Sequence, residues 1–377
     1  MIDMTGLDRF VSFDRSTGLL VAEAGVSLSE ILKLAVPAGY FLPVTPGTKH
    51  VTLGGALAND VHGKNHHRAG TIGRWVRRLD LLRSDGTELS LAQDDTTGAF
   101  SATIGGLGLT GVITRVELEL LSVSSSDMDV ETMPFSGLPE FFALADESEA
   151  SHDYTVAWVD CLASGATLGR GVFTRARHAR EGELRVHSAR GPSVPMDAPG
   201  FLLNRLSLSA FNELYFRLAG RPRRTRMPYN PFFYPLDAVD GWNRLYGRRG
   251  FYQYQSVVPP AHAAAATAEM LRTIAQAGQG SFLAVLKTFG DVPSPGLLSF
   301  PVKGTTLALD FANRGPSTLA LLDKLDAIVR EAGGRLYAAK DGRLPSAMFH
   351  AGYPALEQFR THIDPGMSST FWRRMNS

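Results

Sequence analysis

The 377-residue chain has one cysteine, Cys161. A single thiol excludes an internal disulfide framework and any cysteine-rich zinc or iron–sulfur site, and it suits a reducing compartment. Charge of one sign is also lacking. Lys and Arg number 38 against 37 for Asp and Glu, a net +1, which argues against a nucleic-acid binder with its usual basic surplus. No run approaches the roughly 20 apolar residues of a membrane helix. The opening MIDMTGLDRF has neither a basic n-region nor an apolar h-region. The expectation is a cytoplasmic protein whose membrane contact is at most peripheral. What is present points to a folded core: 44% hydrophobic and 20% charged residues. At about 150 residues per domain the length suggests two or three units. Glycine, 38 of 377, predicts recurrent tight turns or backbone lying close to a ligand.

Residues 1–122 read as strands and turns with few helices. Leu19–Ala24 predicts a strand. Ser27, with Glu30 three residues on, predicts a capping box ahead of a short amphipathic helix ending near Pro37 and Gly39. Val76–Leu82, the Ser84-Asp85-Gly86-Thr87 turn and Glu88–Leu91 predict a hairpin. Val112–Leu121 alternates as a strand. The segments 170–190 and 217–226 are arginine-rich and poor in periodicity, and read as exposed loops. From 251 the order is strand 251–258, helix 261–277, strand 281–289, strand 306–311, helix 317–332, strand 334–339. That is the split βαβ pattern of a ferredoxin-like antiparallel sheet. No internal repeat is legible.

The richest segment is PGTKHVTLGGALANDVHGKNHHRAGTIG, residues 46–73. Its small residues (Gly47, Thr48, Gly54, Gly55, Ala56, Ala58) would let backbone N–H groups approach a flat or anionic ligand. His62, Lys64, His66 and His67 follow, beside Asp60 and Asn65. A glycine-rich turn with surface histidines is the plainer alternative. A metal site at His66-His67 is disfavoured, because neighbours on an extended segment face opposite ways and no Cys or Glu completes a ligand set.

With Asp80-Leu81-Leu82, Asp85-Gly86 and the GGLGLTG run at 105–111, this segment resembles the vanillyl-alcohol-oxidase (PCMH-type) family of FAD-linked oxidoreductases. The resemblance continues through FYQYQSVVP at 251, SFLAVLKTFG at 281, LSFP at 298, Asp310-Phe311, GGRLYAAKDGR at 333, Phe349-His350 and Asp364-Pro365. It implies an α+β protein. Residues 1–122 would be an FAD domain, 123–334 a substrate domain, and 335–377 a return to the FAD domain. The cofactor implied is FAD, held non-covalently, with no metal. Pro46, Gly47, Thr48, Thr52, Gly54, Gly55, Ala58 and Asn59 would line its pyrophosphate and ribityl chain. Gly111 and Val112 would meet its adenine end. His62 and Lys64 would stand beside the isoalloxazine and substrate pocket. Gln253, Gln255, Lys287 and Phe289, with Thr306 and Ala308, would form the pocket wall, and Tyr337 and Lys340 would return to the flavin face. The resemblance further implies a chain lacking several dozen preceding residues, including a loop that wraps the pyrophosphate.

The activity implied is oxidation of a secondary alcohol on a sugar, within the family most closely the 2′-hydroxyl of a polyprenylphosphoryl ribose. A short-chain reductase partner would complete epimerisation to the arabinose form. Aldonolactone or alditol oxidation, and flavin-free binding of a sugar lipid, are the alternatives. A fixed cation would stabilise charge at the reduced flavin's N1/C2=O edge, and Lys340 is the first candidate. His62, Tyr337 or Lys340 could take the hydroxyl proton, and the residues do not decide among them. Other readings stand for several of these groups. Gln253 and Gln255 could be an exposed polar face, Tyr337 core, and Lys340-Asp341 a turn ion pair. Lys287 interrupts an apolar strand, which is costly unless the lysine is paired or serves a ligand. Thr306 and Ala308 replace the family's Asn and Cys, so a different pocket polarity is expected. Arg217, Arg221, Arg223, Arg224 and Arg226 form a basic patch suited to a lipid phosphate or an anionic membrane, or else a solvated loop.

Overall fold

The structure, a computed structural model, describes residues 2–187, 191–200, 202–340 and 342–376. Two antiparallel sheets organise these residues. The first takes β1 (Phe10–Asp14), β2 (Leu19–Glu23), β4 (Val76–Leu82), β5 (Glu88–Ala92) and β6 (Val112–Glu119) in the order β1-β2-β6-β4-β5. A two-stranded ribbon of β3 (Tyr40–Phe41) and β7 (Leu121–Ser122) lies apart from it. Period-two alternation buries Leu20 and Ala22 of β2 beside Val116 and Leu118 of β6. The β4–β5 hairpin closes where expected: Asp85 accepts from Thr87 N at 2.9 Å, and Gly86 takes φ +86°. Helix α1 (Leu28–Ala35) starts at Ser27, whose hydroxyl accepts from Glu30 N. Glu30 pairs with Lys33 at 2.6 Å.

The second sheet has eight strands: β8 (Asp127–Phe135), β9 (Tyr154–Val159), β10 (Gly171–His178), β11 (Arg223–Pro228), β12 (Phe251–Val258), β13 (Ala284–Phe289), β14 (Gly304–Ala312) and β15 (Arg335–Leu336). Their order is β11-β8-β10-β9-β13-β14-β12-β15. With α8 (Pro260–Ala277) and α9 (Pro316–Glu331), the later half runs β12-α8-β13-β14-α9-β15, the ferredoxin-like pattern read from the sequence.

The earlier half repeats that pattern. With α5 (Leu138–Glu149) and α6 (Arg205–Ala219) it runs β8-α5-β9-β10-α6-β11. The two units meet edge to edge through antiparallel β9 and β13, at Trp158↔Val285 and Ala157↔Leu286. This corrects two expectations. An internal repeat exists, carried by topology and not by sequence. The arginine-rich stretches are also partly regular: 171–178 is a strand while 179–187 is the irregular, largely exposed segment expected, 217–219 ends α6, and 223–228 is the edge strand β11, whose Arg224 and Arg226 pair with Glu131 and Asp129 of β8. Alternating opposite charges replace alternating apolar residues there, so the usual strand signal is absent. Residues 188–190 of the first stretch lie outside the described residues. The expected strand at 334–339 is shorter, because Ala338–Lys340 turns into a 3-10 helix.

Helices α5, α8 and α9 cover one face of the large sheet, packing Phe141, Leu271, Ile274, Leu322, Leu325 and Val329 against it. The opposite face carries Gln253, Gln255, Val285, Lys287, Thr306, Ala308 and Asp310 in register. Segment 59–73 lies against this second face. It contains α3 (His66–Ala69) and follows α2 (Leu53–Ala58).

Candidate active site

Thr52 starts α2 by accepting from Gly55 N at 3.2 Å, and Ser27 bridges to Thr52. The glycines of this loop do different jobs. A Cβ on Gly54 would stand 2.9 Å from Ala24 Cβ, so close packing against the end of β2 demands glycine there. A Cβ on Gly47 would meet nothing within 4 Å, and Gly47 is exposed, as is Gly55. Pro46, Thr48, Ala58 and Asn59 are half-buried on the same stretch. Gly111 has φ +143°, and a Cβ there would meet Leu82 O at 2.7 Å. Val112 pairs with Leu82 at the start of β6. These two lie in the first sheet, among contacts that require them for packing.

His62 is the hub. Its ring lies 4.9 Å from Phe289, 5.7 Å from Phe300 and 5.2 Å from Tyr337. Gln255 Nε2 stands 3.0 Å from His62 Nε2 and 3.1 Å from Thr306 Oγ1. An amide NH2 placed there donates to both, which leaves the proton of a neutral imidazole on Nδ1. That Nδ1 is buried and has no hydrogen-bond partner among the described residues. Burial, followed by the charges of Lys287, His66 and Lys340, holds His62 well below the usual imidazole range. Tyr337 stacks on Phe300 at 4.5 Å and donates to Asn59 O at 3.0 Å. Burial pushes its hydroxyl far above the ordinary tyrosine value.

Two lysines, Lys287 and Lys340, flank this hub, and Lys64 lies next to Lys287. Lys287 Nζ donates to Gly63 O at 3.0 Å, and burial, then Lys340 and Lys64, lowers it to about 7. Lys64 donates to Phe232 O and lies 4.5 Å over the Phe232 ring of α7 (Tyr229–Phe233). Burial lowers it to about 7 as well. Lys340 lines a pocket with Gln253, Gln255 and Tyr337. Burial lowers it against the pull of Asp310. Asp310 accepts from the Gln253 amide at 3.2 Å, is pushed up to about 6 by burial, and leaves Oδ2 unpartnered. Ammonium groups so enclosed, with one carboxylate opposing one of them, suit an anionic ligand. Together with the open edge at Gly47 and Gly55, they fit a flat, phosphate-bearing cofactor such as FAD.

The structure thus brings together His62, Lys64, Gln253, Gln255, Lys287, Phe289, Thr306, Tyr337 and Lys340. Ala308 sits between Gln255 and Val285 in register. Asp341, the proposed ion-pair partner of Lys340, lies outside the described residues. The histidines are buried, not on the surface. His66 and His67 stand on one helical turn, and neither His66 nitrogen has a partner, its ring lying against Phe289 at 4.5 Å.

Two residues were given no role by the sequence reading. Asp60 is fully buried at φ +39°. It accepts from Gly73 N at 2.9 Å and from Ser299 Oγ, and burial raises it to about 6. It ties α2 to the 296–299 turn of the second sheet's unit. An Asn-Asp pair directly after a short helix is the available signal, since Asx residues tolerate left-handed backbone. Trp158 is paired with Val285 and so shares the Gln255–Ala308 row. Only strand alternation within YTVAWV could have placed it.

The FAD binding domain family model matches residues 1–92. Decaprenylphosphoryl-beta-D-ribose oxidase of Mycolicibacterium smegmatis is 37% identical over 380 aligned residues, covering 97% of this chain and 82% of that protein. An uncharacterised Streptomyces coelicolor protein is 36% identical over 92% of this chain and 97% of its own length. A putative D-arabinono-1,4-lactone oxidase of Neurospora crassa is 26% identical over only 33% of this chain.

Proposed function

This chain belongs to the family of FAD-dependent oxidoreductases that includes decaprenylphosphoryl-beta-D-ribose oxidase, and from that premise we propose that it oxidises the 2′-hydroxyl of a polyprenylphosphoryl-β-D-ribose to the 2-keto sugar. The observation that carries this reading is the pair Lys287 and Lys340 beside a neutral His62, with Lys64 next to Lys287. A phosphate-bearing sugar supplies negative charge beside Lys64 and Lys287 and would keep both amines protonated. A free lactone would leave them uncompensated. The relatives named as lactone oxidases match about a third of the chain, which favours the lipid-linked sugar further.

Pro46, Gly47, Thr48, Gly55, Ala58 and Asn59 would hold the cofactor, with Thr52 and Gly54 shaping the helix behind them and Gly111 and Val112 at the far end. FAD supplies a two-electron hydride acceptor when bound. The chain's own task is the substrate's proton and charge. Tyr337 keeps its proton, which it donates to Asn59 O. His62 has its Nε2 lone pair occupied by Gln255 and presents Nδ1–H, a donor that can orient a hydroxyl oxygen. Lys340, lowered by burial, is the proton acceptor we favour. As the proton arrives, the resulting ammonium stands where negative charge develops. Lys287 and Lys64 would hold the sugar phosphate, and Phe289 with Ala308 would shape the wall.

The first 122 residues and the C-terminal return from 335 are read as the flavin unit, with 123–334 as the substrate unit, although Arg335–Leu336 at the start of the return completes the substrate unit's sheet as β15. Tyr337 bonded to Asn59 supports that division, as does Asp364 accepting from Ser84 N at 2.7 Å and pairing with Arg83 at 3.2 Å. A short-chain reductase that returns hydride to the 2-keto sugar is the partner this product requires, and peripheral contact with the lipid's membrane belongs to the same reading. The test uses polyprenylphosphoryl ribose deuterated at C2. Loss of that deuterium with formation of the keto sugar is expected. Turnover of arabinono-1,4-lactone with the ribose lipid untouched would overturn the assignment.

A further inference from the structure

Helix α6 presents an apolar face that the described residues cover only at one margin, where Phe211 meets Phe282 and Tyr215 meets Trp158. Phe211, Leu214, Tyr215 and Leu218 recur at i, i+3, i+4 and i+7, one helical face, and all four are exposed, Leu218 at 70%. Among the described residues, seven of the twelve exposed large apolar ones fall between Met196 and Leu218. The opposite side of α6 is anchored. Leu208 and Asn212 are buried, Asn212 donates to Asp160 at 2.8 Å, and Arg170 pairs with Glu213. The helix is therefore held firmly with its greasy side outward.

Charge says what that side meets. Residues 202–226 hold six arginines and one acid. Arg217, Arg224 and Arg226 are spent on Glu213, Glu131 and Asp129, but Arg205, Arg221 and Arg223 form no ion pair among the described residues. An exposed apolar stripe beside unneutralised arginines is the signature of a helix lying in the interface of an anionic bilayer. Position adds a reason. Tyr215 packs on Trp158 at 4.6 Å, and Trp158 begins the row Trp158–Val285–Ala308–Gln255 across the site face. At about 4.8 Å per strand, three strand steps put the stripe roughly 15 Å from the residue that holds His62.

We propose that α6 docks this protein on an anionic membrane surface and thereby sets the mouth of the substrate groove against the lipid phase. The inference rests on the lipid-linked substrate reading: the sugar end reaches His62 while the polyprenyl tail stays in the bilayer.

The experiment is flotation of the FAD-loaded chain with vesicles of phosphatidylcholine, alone or with one-third phosphatidylglycerol. The wild type floats with the anionic vesicles, and high salt releases it. The double variants Leu214→Asp/Leu218→Asp and Arg221→Glu/Arg223→Glu keep the flavin spectrum and bind roughly tenfold or more weakly. Wild type that stays down, or variants that float like it, overturns the proposal. So does a vesicle-free dimer that the leucine variant converts to monomer, because a second copy would then cover the face. Flavin reduction by detergent-dispersed polyprenylphosphoryl ribose separates the two readings. Flotation without reduction leaves the surface standing and removes the substrate. Reduction without flotation removes the surface.

Discussion

At the scale of single residues, the three half-buried lysines make the sharpest statement. Lys287 falls from an ordinary 10.5 to about 7 in the folded chain. A group whose folded value is depressed contributes stability in full above its unfolded value, and that contribution is lost as pH falls toward its folded value. Without ligand, the protein should therefore gain stability between about pH 7 and 10. Lys287→Met should flatten that rise, and urea titrations of the flavin-free chain at both ends of the window measure it. An unchanged slope in the variant would mean Lys287 is not held as described. The sequence exposed Lys287 as an oddity because charge interrupts an apolar strand. It could not expose Asp60, whose role depends on a left-handed backbone angle and on Ser299, 239 positions away.

Among elements, α2 separates packing from binding. Gly54→Ala forces Cβ into Ala24 at 2.9 Å, and overpacking of this kind costs about 1–3 kcal/mol. The variant should melt lower with or without FAD. Gly47→Ala meets open space, so apo stability should hold within about 0.5 kcal/mol while FAD affinity falls, because the added methyl occupies room the cofactor uses. Thermal melts of both variants with and without FAD decide this. Equal FAD affinity for Gly47→Ala and wild type would place the cofactor elsewhere. Elements with ordinary signals were legible: the Asp85-Gly86 hairpin, the Ser27 helix start and the β12–β15 unit. β10 and β11 were not, because Arg175, Arg224 and Arg226 pair across strands with Glu131 and Asp129 and so erase the apolar alternation. α6 was not legible either. Its residues 205–216 drew no reading, and 217–219 fell in the arginine-rich stretch read as a loop.

For the whole molecule, the sheet face and the glycine-rich segment make the site jointly. His62 comes from one and Gln255 from the other, 193 positions apart. The constellation was legible in advance only through the family resemblance, since spacing alone does not bring those positions together. The repeat of two βαββαβ units was hidden because only strand order, not residue identity, is shared. The account stands or falls on what the assembled site oxidises. The direct measurement is anaerobic mixing of the FAD-loaded chain with polyprenylphosphoryl ribose while the visible flavin bands are followed. Rapid bleaching is predicted, with a rate lowered roughly 100-fold or more in Lys340→Met, and with arabinono-1,4-lactone leaving the bands intact. Bands that persist with the ribose lipid and bleach with the lactone would contradict the account.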